Sequence, residues 1–376
     1  MDNIKRENQE KYMRIVFPMR VDAFTKRGGD TVQVEQYVAH LNRIASVKAS
    51  IETKNDFDFS NVDIVHLVNI DRPLETYSHY VRAKNQNVAK ICLSSIHHPY
   101  SWIDAFENVG RHGFLRVINF FFRGFKRREA LKNIHRSIRN LDAAKCYWNG
   151  FFHGLHAQQV QILAGVDHCF LLAKAEIDFI YHDFGVLPKN YSVVPNAVDG
   201  NFYDYSLRRD IDVLVVGRIE ERKNQILIVE ALRDTGLKVC FIGALNKNNR
   251  TYIDKFQKLI DNDPFISYLG VIPHGDIAQY YARSKVHLNA SWFEVTPLVD
   301  IEAFNAGCSV ATTKFSFSRE YFGERAVYVD AACKQSIKNG VSDALERYSE
   351  ENIKIAINDW AAAAHSLYKV YLGLER

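Results

Sequence analysis

Eleven short segments of this chain are apolar at nearly every position rather than at alternate ones. They are "YMRIVFP", "DIVHLVNI", "VAKICLSSI", "HCFLLA" and "NYSVVP" in the first half, then "DVLVVG", "KVCFIG", "FISYLG", "KVHLNAS", "CSVATT" and "AVYVDA". A strand with one wet face alternates; a strand covered on both faces does not, and such strands belong to parallel sheets. Helical stretches such as "DTVQVEQYVAHLNRI" and "NQILIVEALRDTG" separate them. Repeated strand–helix units of this kind predict doubly wound α/β domains. A chain of 376 residues exceeds one ordinary core, so two such domains are expected. Pro195, Asn196, Asp199 and Gly200 mark a boundary before a new strand near Ile211. At the end, Trp360, Ala363, Leu367, Val370 and Tyr371 share a helical face, predicting a terminal helix packed back on the first domain.

Hydrophobic content of 47% and charged content of 24% are those of a globular chain, not a disordered one. No apolar run is long enough to span a bilayer. "MDNIKRENQEKYMRIVFPM" has neither an apolar h-region nor a small-residue cleavage site, so a cytoplasmic setting is expected. The six cysteines (Cys92, Cys146, Cys169, Cys240, Cys308 and Cys333) form no C-x-x-C pair, which favours buried free thiols over a zinc site. The net charge of +4 hides one basic block: residues 111–139 hold nine Lys or Arg and one acid, a net +8.

Two carboxylates stand eight positions apart in "EVTPLVDIE". The preceding "KVHLNAS" reads as a strand and "TPLVDIEAFNAG" as a helix, with Thr296 as N-cap, Pro297 in the first turn and Gly307 as the stop. Glu294 then lies in the loop at a strand's carboxyl end, where open α/β sheets bind ligands, and Glu302 about a turn and a half into the helix. Free amides at that helix start suit a phosphate. Carboxylates on either side suit hydroxyls. A second strand ends at Gly217; Arg218 follows in the loop, and Lys223 stands at the next helix start with Asn224 as cap. A guanidinium and an ammonium meeting near a strand end suit a diphosphate. Taken singly, either motif also fits an ordinary solvated charged loop.

Together, "GRIEERKN" and "YLGVIPHGDIAQYYARSKVHLNASWFEVTPLVDIEAFNAGCSVATT" closely resemble glycosyltransferase family 4. The likeness runs from "VVPNAVD" to "AVYVDA", and more loosely through "RGGDTVQVEQYVAHL", "DIVHLVNI" and "SSIHHPYSW". It implies an α/β chain of the GT-B fold: two Rossmann-like domains facing each other across a cleft. Residues 12–198 with 357–376 would form the acceptor domain, and 199–356 the nucleotide-sugar domain. The resemblance also implies that Arg218 and Lys223 hold the donor diphosphate, that Glu302 binds the ribose and that Glu294 faces the transferred sugar. Backbone amides around Val295, Thr296 and Leu298 would meet sugar or phosphate, and Gly28 and Gly29 would lie over the donor diphosphate and the acceptor. Two positions depart from the family's pattern. Ala197 stands where "PNGVD" has glycine, and Val295 replaces the glycine common after the first glutamate, which bears on the sugar pocket.

The Gly28–Gly29 pair precedes a helix expected near Thr31 and is no P-loop, since no G-K-[ST] follows. His97 and His98 end a strand, and adjacent strand residues point oppositely, so one of them is expected at the sugar. His97 is the choice and His98 the alternative. His66 reads as a satisfied residue at the core edge; His153 and His156 lack partners at metal-ligand spacing. The triplets Asp56/Asp58, Asp210/Asp212 and Asp261/Asp263 read as chance, so neither metal nor other cofactor is expected.

In the basic block, Leu115, Ile118, Phe122 and Phe125 follow helical steps beneath the charge. That pattern suits an anionic membrane surface as well as a packed helix with a wet face, and no nucleic-acid module accompanies it. The expected function is transfer of a hexosyl unit from a UDP- or GDP-linked sugar to a hydroxyl of a glycan or lipid-linked acceptor, with retention, in cell-surface polysaccharide or lipopolysaccharide assembly. Alternatives are a non-catalytic membrane-associated binding protein and a nucleotide-sugar epimerase.

Overall fold

The computed structural model describes residues 12–110, 154–199, 204, 206–261, 263–348 and 359–375. Two six-stranded sheets carry the fold, and every strand pair in them is parallel. The first contains β1 (Met13–Pro18), β2 (Val47–Glu52), β3 (Ile64–Val68), β4 (Lys90–Ser94), β5 (His168–Leu171) and β6 (Tyr191–Val193), in the order β2-β1-β3-β4-β5-β6. The second contains β7 (Ile211–Val216), β8 (Val239–Ile242), β9 (Ile266–Tyr268), β10 (Ser284–Asn289), β11 (Ser309–Thr313) and β12 (Val327–Val329), in the order β12-β11-β10-β7-β8-β9.

Each of the eleven apolar runs forms a strand, while β2 has no such run. It is an edge strand, with Val47 and Ala49 buried and Lys48 and Ser50 exposed. One-sided burial explains its alternating sequence.

The helices of the first half are α1 (Gly29–Leu41), α2 (Pro73–Asn85), α3 (Tyr100–Ala105), α4 (Leu155–Gly165) and α5 (Glu176–Phe184). Those of the second are α6 (Gln225–Leu232), α7 (Arg250–Ile260), α8 (His274–Ala282), α9 (Leu298–Asn305), α10 (Ser318–Phe322) and α11 (Lys334–Arg347). The last helix, α12 (Trp360–Glu375), returns to the first half and packs along α1. Its Trp360, Ala363, Ala364, Leu367 and Tyr371 are buried in the first half's core. There Tyr371 meets Nδ1 of His66 at 2.5 Å, and Ser94 meets Nε2 at 2.8 Å. The imidazole is stacked between Phe17 and Phe170. His66 is therefore a fully buried core residue rather than a core-edge one, and burial pushes its pKa down to about 3.

The halves are also joined behind the cleft. Glu320 of α10 accepts the amides of Lys174 and Ala175 at 2.7 Å each, just ahead of α5. The Tyr321 hydroxyl accepts the amide of Asn196 and donates to the carbonyl of Leu172, both at 2.8 Å.

Residues 111–139, on which the membrane expectation rests, lie outside the described residues, as do Cys146 and His153. Cys92, Cys169, Cys240 and Cys308 are buried, and Cys333 is exposed. Among the described residues no helix is long and apolar enough to cross a membrane, and no group of side chains is arranged to hold a metal ion. Asp210 and Asp212 are taken up by Arg283 and Lys285 at 2.6 and 2.8 Å.

Strand order reverses between β1 and β3 in the first sheet and between β7 and β10 in the second. Chains leaving the carboxyl ends on either side of such a reversal diverge and open a crevice.

Candidate active site

The loops after β7 and β10 emerge side by side because those strands pair. The β8 loop comes against the β7 loop only because both carry glycine. Gly243, after β8, has φ +147°, and a Cβ there would stand 2.0 Å from the Gly217 carbonyl oxygen. Lys223 lies over Gly217, with Cε 3.4 Å from where a Cβ would be. Asn224 opens α6 at φ +61°, yet its side chain makes no cap bond. It donates instead to the carbonyls of Ala290 (3.2 Å) and Ala331 (2.8 Å), tying the Lys223 turn to the ends of β10 and β12.

Lys223 Nζ donates to Oε1 of Glu294 at 2.5 Å, and Arg222 Nη1 reaches the same oxygen at 3.0 Å. Arg222 also donates to the Phe293 carbonyl at 3.1 Å, with its guanidinium over the Phe293 ring. Burial alone would raise the Glu294 pKa; Arg222 and Lys223 outweigh it and hold the carboxyl well below the usual carboxylate range. Sequence reasoning missed Arg222. Its signal is its place beside Lys223 in "EERKN", but only the short 3-10 turn Glu221–Lys223 shows both cations reaching one carboxylate.

Helix α9 starts after Pro297, which is its N-cap, and Gly307 follows its end with φ +81°. Thr296, expected to cap, does not. It accepts Asn196 Nδ2 at its hydroxyl (3.0 Å) and its carbonyl (2.9 Å), while Asn196 Oδ1 accepts Gln33 of α1 at 2.8 Å. The first amides of α9, which like those of any helix lack an intrahelical acceptor, consequently have no side-chain cap either. Val295 is buried in the first half's core with Phe317, whose amide its carbonyl accepts at 2.8 Å.

Glu302 lies one turn beyond Leu298 and accepts the Tyr281 hydroxyl at 3.0 Å. With Val32 and Gln36 of α1, Asp199, Tyr281 and Trp360 it lines an open cleft. Helix α1 begins at Gly29, two residues before the expected start, with Gly28 as N-cap. A Cβ on Gly29 would stand 3.9 Å from Leu298 Cδ1, so the starts of α1 and α9 face each other. Beside them Arg218 Nη2 reaches the Arg27 carbonyl at 3.5 Å. Arg218, Lys223, Glu294, Thr296, Leu298 and the two glycines thus lie near one another at facing loop ends, and Glu302 stands one turn farther along α9, on the cleft lined by Tyr281 and Trp360.

His97 is placed otherwise than expected. It is fully buried: Nδ1 meets Asp71 at 2.7 Å and Nε2 meets Asp183 at 2.9 Å, so neither ring nitrogen faces the cleft. His98 takes the cleft side, its ring 5.3 Å from that of Phe293. The turn that leads into them is strained, since Ile96, just before His97, has φ +46°, costly for a β-branched residue.

Burial alone would lower the His97 pKa, but Asp71 and Asp183 together push it up to about 9. An unfolded histidine titrates near 6.5. The folded state therefore binds the proton more tightly; its contribution to stability is complete below about pH 6.5 and is lost as pH rises through about 9. Urea midpoints measured across that window should decline for the wild type, and His97→Gln should flatten the decline. An unchanged slope in the variant would remove His97 as its source.

Comparison with known proteins agrees with this architecture. Residues 206–358 match the family model described as glycosyl transferases group 1. Among solved structures, sucrose-phosphate synthase (tll1590) from Thermosynechococcus elongatus superposes with TM-score 0.71 at 13% identity, covering 96% of this chain and 99% of that one. Anabaena Alr3699/HepE in complex with UDP and glucose gives TM-score 0.64 at 13% identity, covering 96% and 100%. WaaG, described as a glycosyltransferase involved in lipopolysaccharide biosynthesis, gives 0.56 at 14%, covering 94% and 95%. No curated protein matches by sequence. The chain has the GT-B fold, and its second half carries the group 1 glycosyltransferase pattern.

Proposed function

We propose that the protein is a retaining glycosyltransferase that moves a hexosyl unit from a UDP- or GDP-linked sugar to a hydroxyl of a glycan or lipid-linked acceptor. The observation that carries this reading is the pair Arg222 and Lys223 converging on Glu294 beneath the open start of α9. A diphosphate entering the crevice meets Lys223, Arg218 and the first α9 amides. Charge grows on its departing oxygen as the bond to the sugar's anomeric carbon breaks, and preorganised donors stabilise that charge. Glu302 accepts ribose hydroxyls. Glu294, partly released by Lys223, accepts a hydroxyl of the sugar.

Glu294 is a poor covalent nucleophile, being buried and held by two cations. Attack by the acceptor oxygen from the leaving-group face then preserves configuration, with the acceptor's proton passing to the departing phosphate oxygen and the bonding pair leaving with the nucleotide. The likeness to WaaG, described as involved in lipopolysaccharide biosynthesis, favours cell-surface polysaccharide assembly, for which we propose the cytoplasmic face of a membrane as the setting. The basic block 111–139 would hold an anionic surface there. Sedimentation with anionic vesicles at low salt should capture the chain, and Arg127→Glu with Arg128→Glu should abolish capture; wild type left in the supernatant ends that part of the reading.

A thermal-shift panel of UDP- and GDP-hexoses should find a stabilising donor, and mass spectrometry with NMR of the product should show a retained anomeric linkage. Absence of both binding and turnover with every nucleotide sugar would overturn the assignment.

A further inference from the structure

Asp71, in the turn after β3, holds both histidines of the neighbouring β4 turn. Its Oδ1 takes Nδ1 of His97 at 2.7 Å. Its Oδ2 takes both the backbone amide of His98 (2.7 Å) and Nδ1 of His98 (2.9 Å). The carboxyl is held well below its usual range, since His97 and His98 outweigh burial. An ionised carboxylate can only accept, so Nδ1 of His98 carries its hydrogen and Nε2 carries a lone pair in the neutral ring. Among the described residues Nε2 has no hydrogen-bond partner, and the His98 side chain is 23% exposed. Its ring stands against Phe293, next to Glu294. The groups facing His98 are Asp71 and, from the β10–α9 loop, Glu294 with its partners Arg222 and Lys223.

We propose that Asp71 is a positioning residue that locks His98 in the Nδ1–H tautomer and so presents Nε2 to the cleft as an acceptor for a sugar hydroxyl. The clamp on the other side of Asp71 supports this role. His97, fixed between Asp71 and Asp183, stops the carboxylate from rotating, and the His98 backbone amide fixes which oxygen faces the ring. In water a neutral imidazole exchanges both tautomers. Here one form is selected before any ligand arrives, which is how preorganised sites avoid reorganisation at the moment of reaction. The proposal rests on the transferase reading for its substrate, but the tautomer itself does not.

Two measurements on the full chain test it. Long-range ¹H–¹⁵N NMR of the imidazoles at neutral pH should show His98 protonated at Nδ1 and bare at Nε2. A neutral ring protonated at Nε2, or a doubly protonated one, overturns the proposal whether or not transfer is ever observed, and needs no variant that could misfold. With an identified donor and acceptor, Asp71→Ala and His98→Ala should each lower kcat/KM about 10- to 100-fold, and the double variant should be no worse than the more damaging single one. Multiplicative losses would mean that Asp71 acts independently of His98, and the proposal fails. If NMR shows the Nδ1–H tautomer while no nucleotide sugar is turned over, the lock stands and the transferase reading is what fails.

Discussion

Lys223→Ala should lower turnover by on the order of 10²–10³ and leave the protein folded. The size follows from where the ammonium sits. It reaches over Gly217 to Glu294, beside the open start of α9, where a departing diphosphate would gather charge. A donor aimed at charge that grows in the transition state acts on kcat more than on binding. The fold should survive because Glu294 keeps Arg222 at 3.0 Å, so no buried carboxylate is left unpaired. Kinetics alongside a thermal melt would check both halves of the statement. A variant that melts normally and turns over within about threefold of wild type removes Lys223 from the chemistry.

The second large effect concerns the helix that carries Glu302. Asp300 on α9 is fully buried and receives three donors. His287 and Asn289 of β10 reach Oδ1 at 3.1 and 2.9 Å, and Thr312 of β11 reaches Oδ2 at 2.5 Å. One side chain thereby pins α9 to both strands beneath it. Asp300→Ala would leave those polar groups buried without their acceptor, at a cost of about 3 kcal/mol or more. The urea midpoint should fall accordingly, and donor affinity should fall with it as α9 loosens. Asp300→Asn keeps an oxygen in place and should lose less. A midpoint shift equivalent to under about 0.5 kcal/mol for the alanine variant would show that the network does not hold the helix.

How much of this could be read from residues alone depended on how far the physics reached along the chain. Burial on both faces writes itself into every position of a strand, so β3 and β10 were visible as apolar runs. The edge strand β2 carries a one-sided pattern and was not seen. The terminal helix was legible because Trp360, Ala363, Leu367 and Tyr371 share a face. The cationic turn and Glu294 are legible for a similar reason: each lies within a few residues of a strand end, and Glu302 follows on the helix that begins there. Pairing across long separations was not legible. Thr296 looks like a cap locally, but its partner Asn196 is 100 residues away. His97 and His98 look equivalent until Asp71 and Asp183, 26 and 86 residues from His97, claim one ring from both sides. Arg222 is not legible from its neighbours alone, since only the fold bends both it and Lys223 toward Glu294.

The join formed by Glu320 and Tyr321 has a mechanical consequence. Four bonds of 2.7 to 2.8 Å hold the halves together at that place. At the mouth, Arg218 reaches Arg27 across 3.5 Å. Val295 and Phe317, buried in the first half's core, and Asn196 bound to Thr296 extend that join to the loop ahead of α9. The loop that carries Glu294 is thereby held from both halves at once.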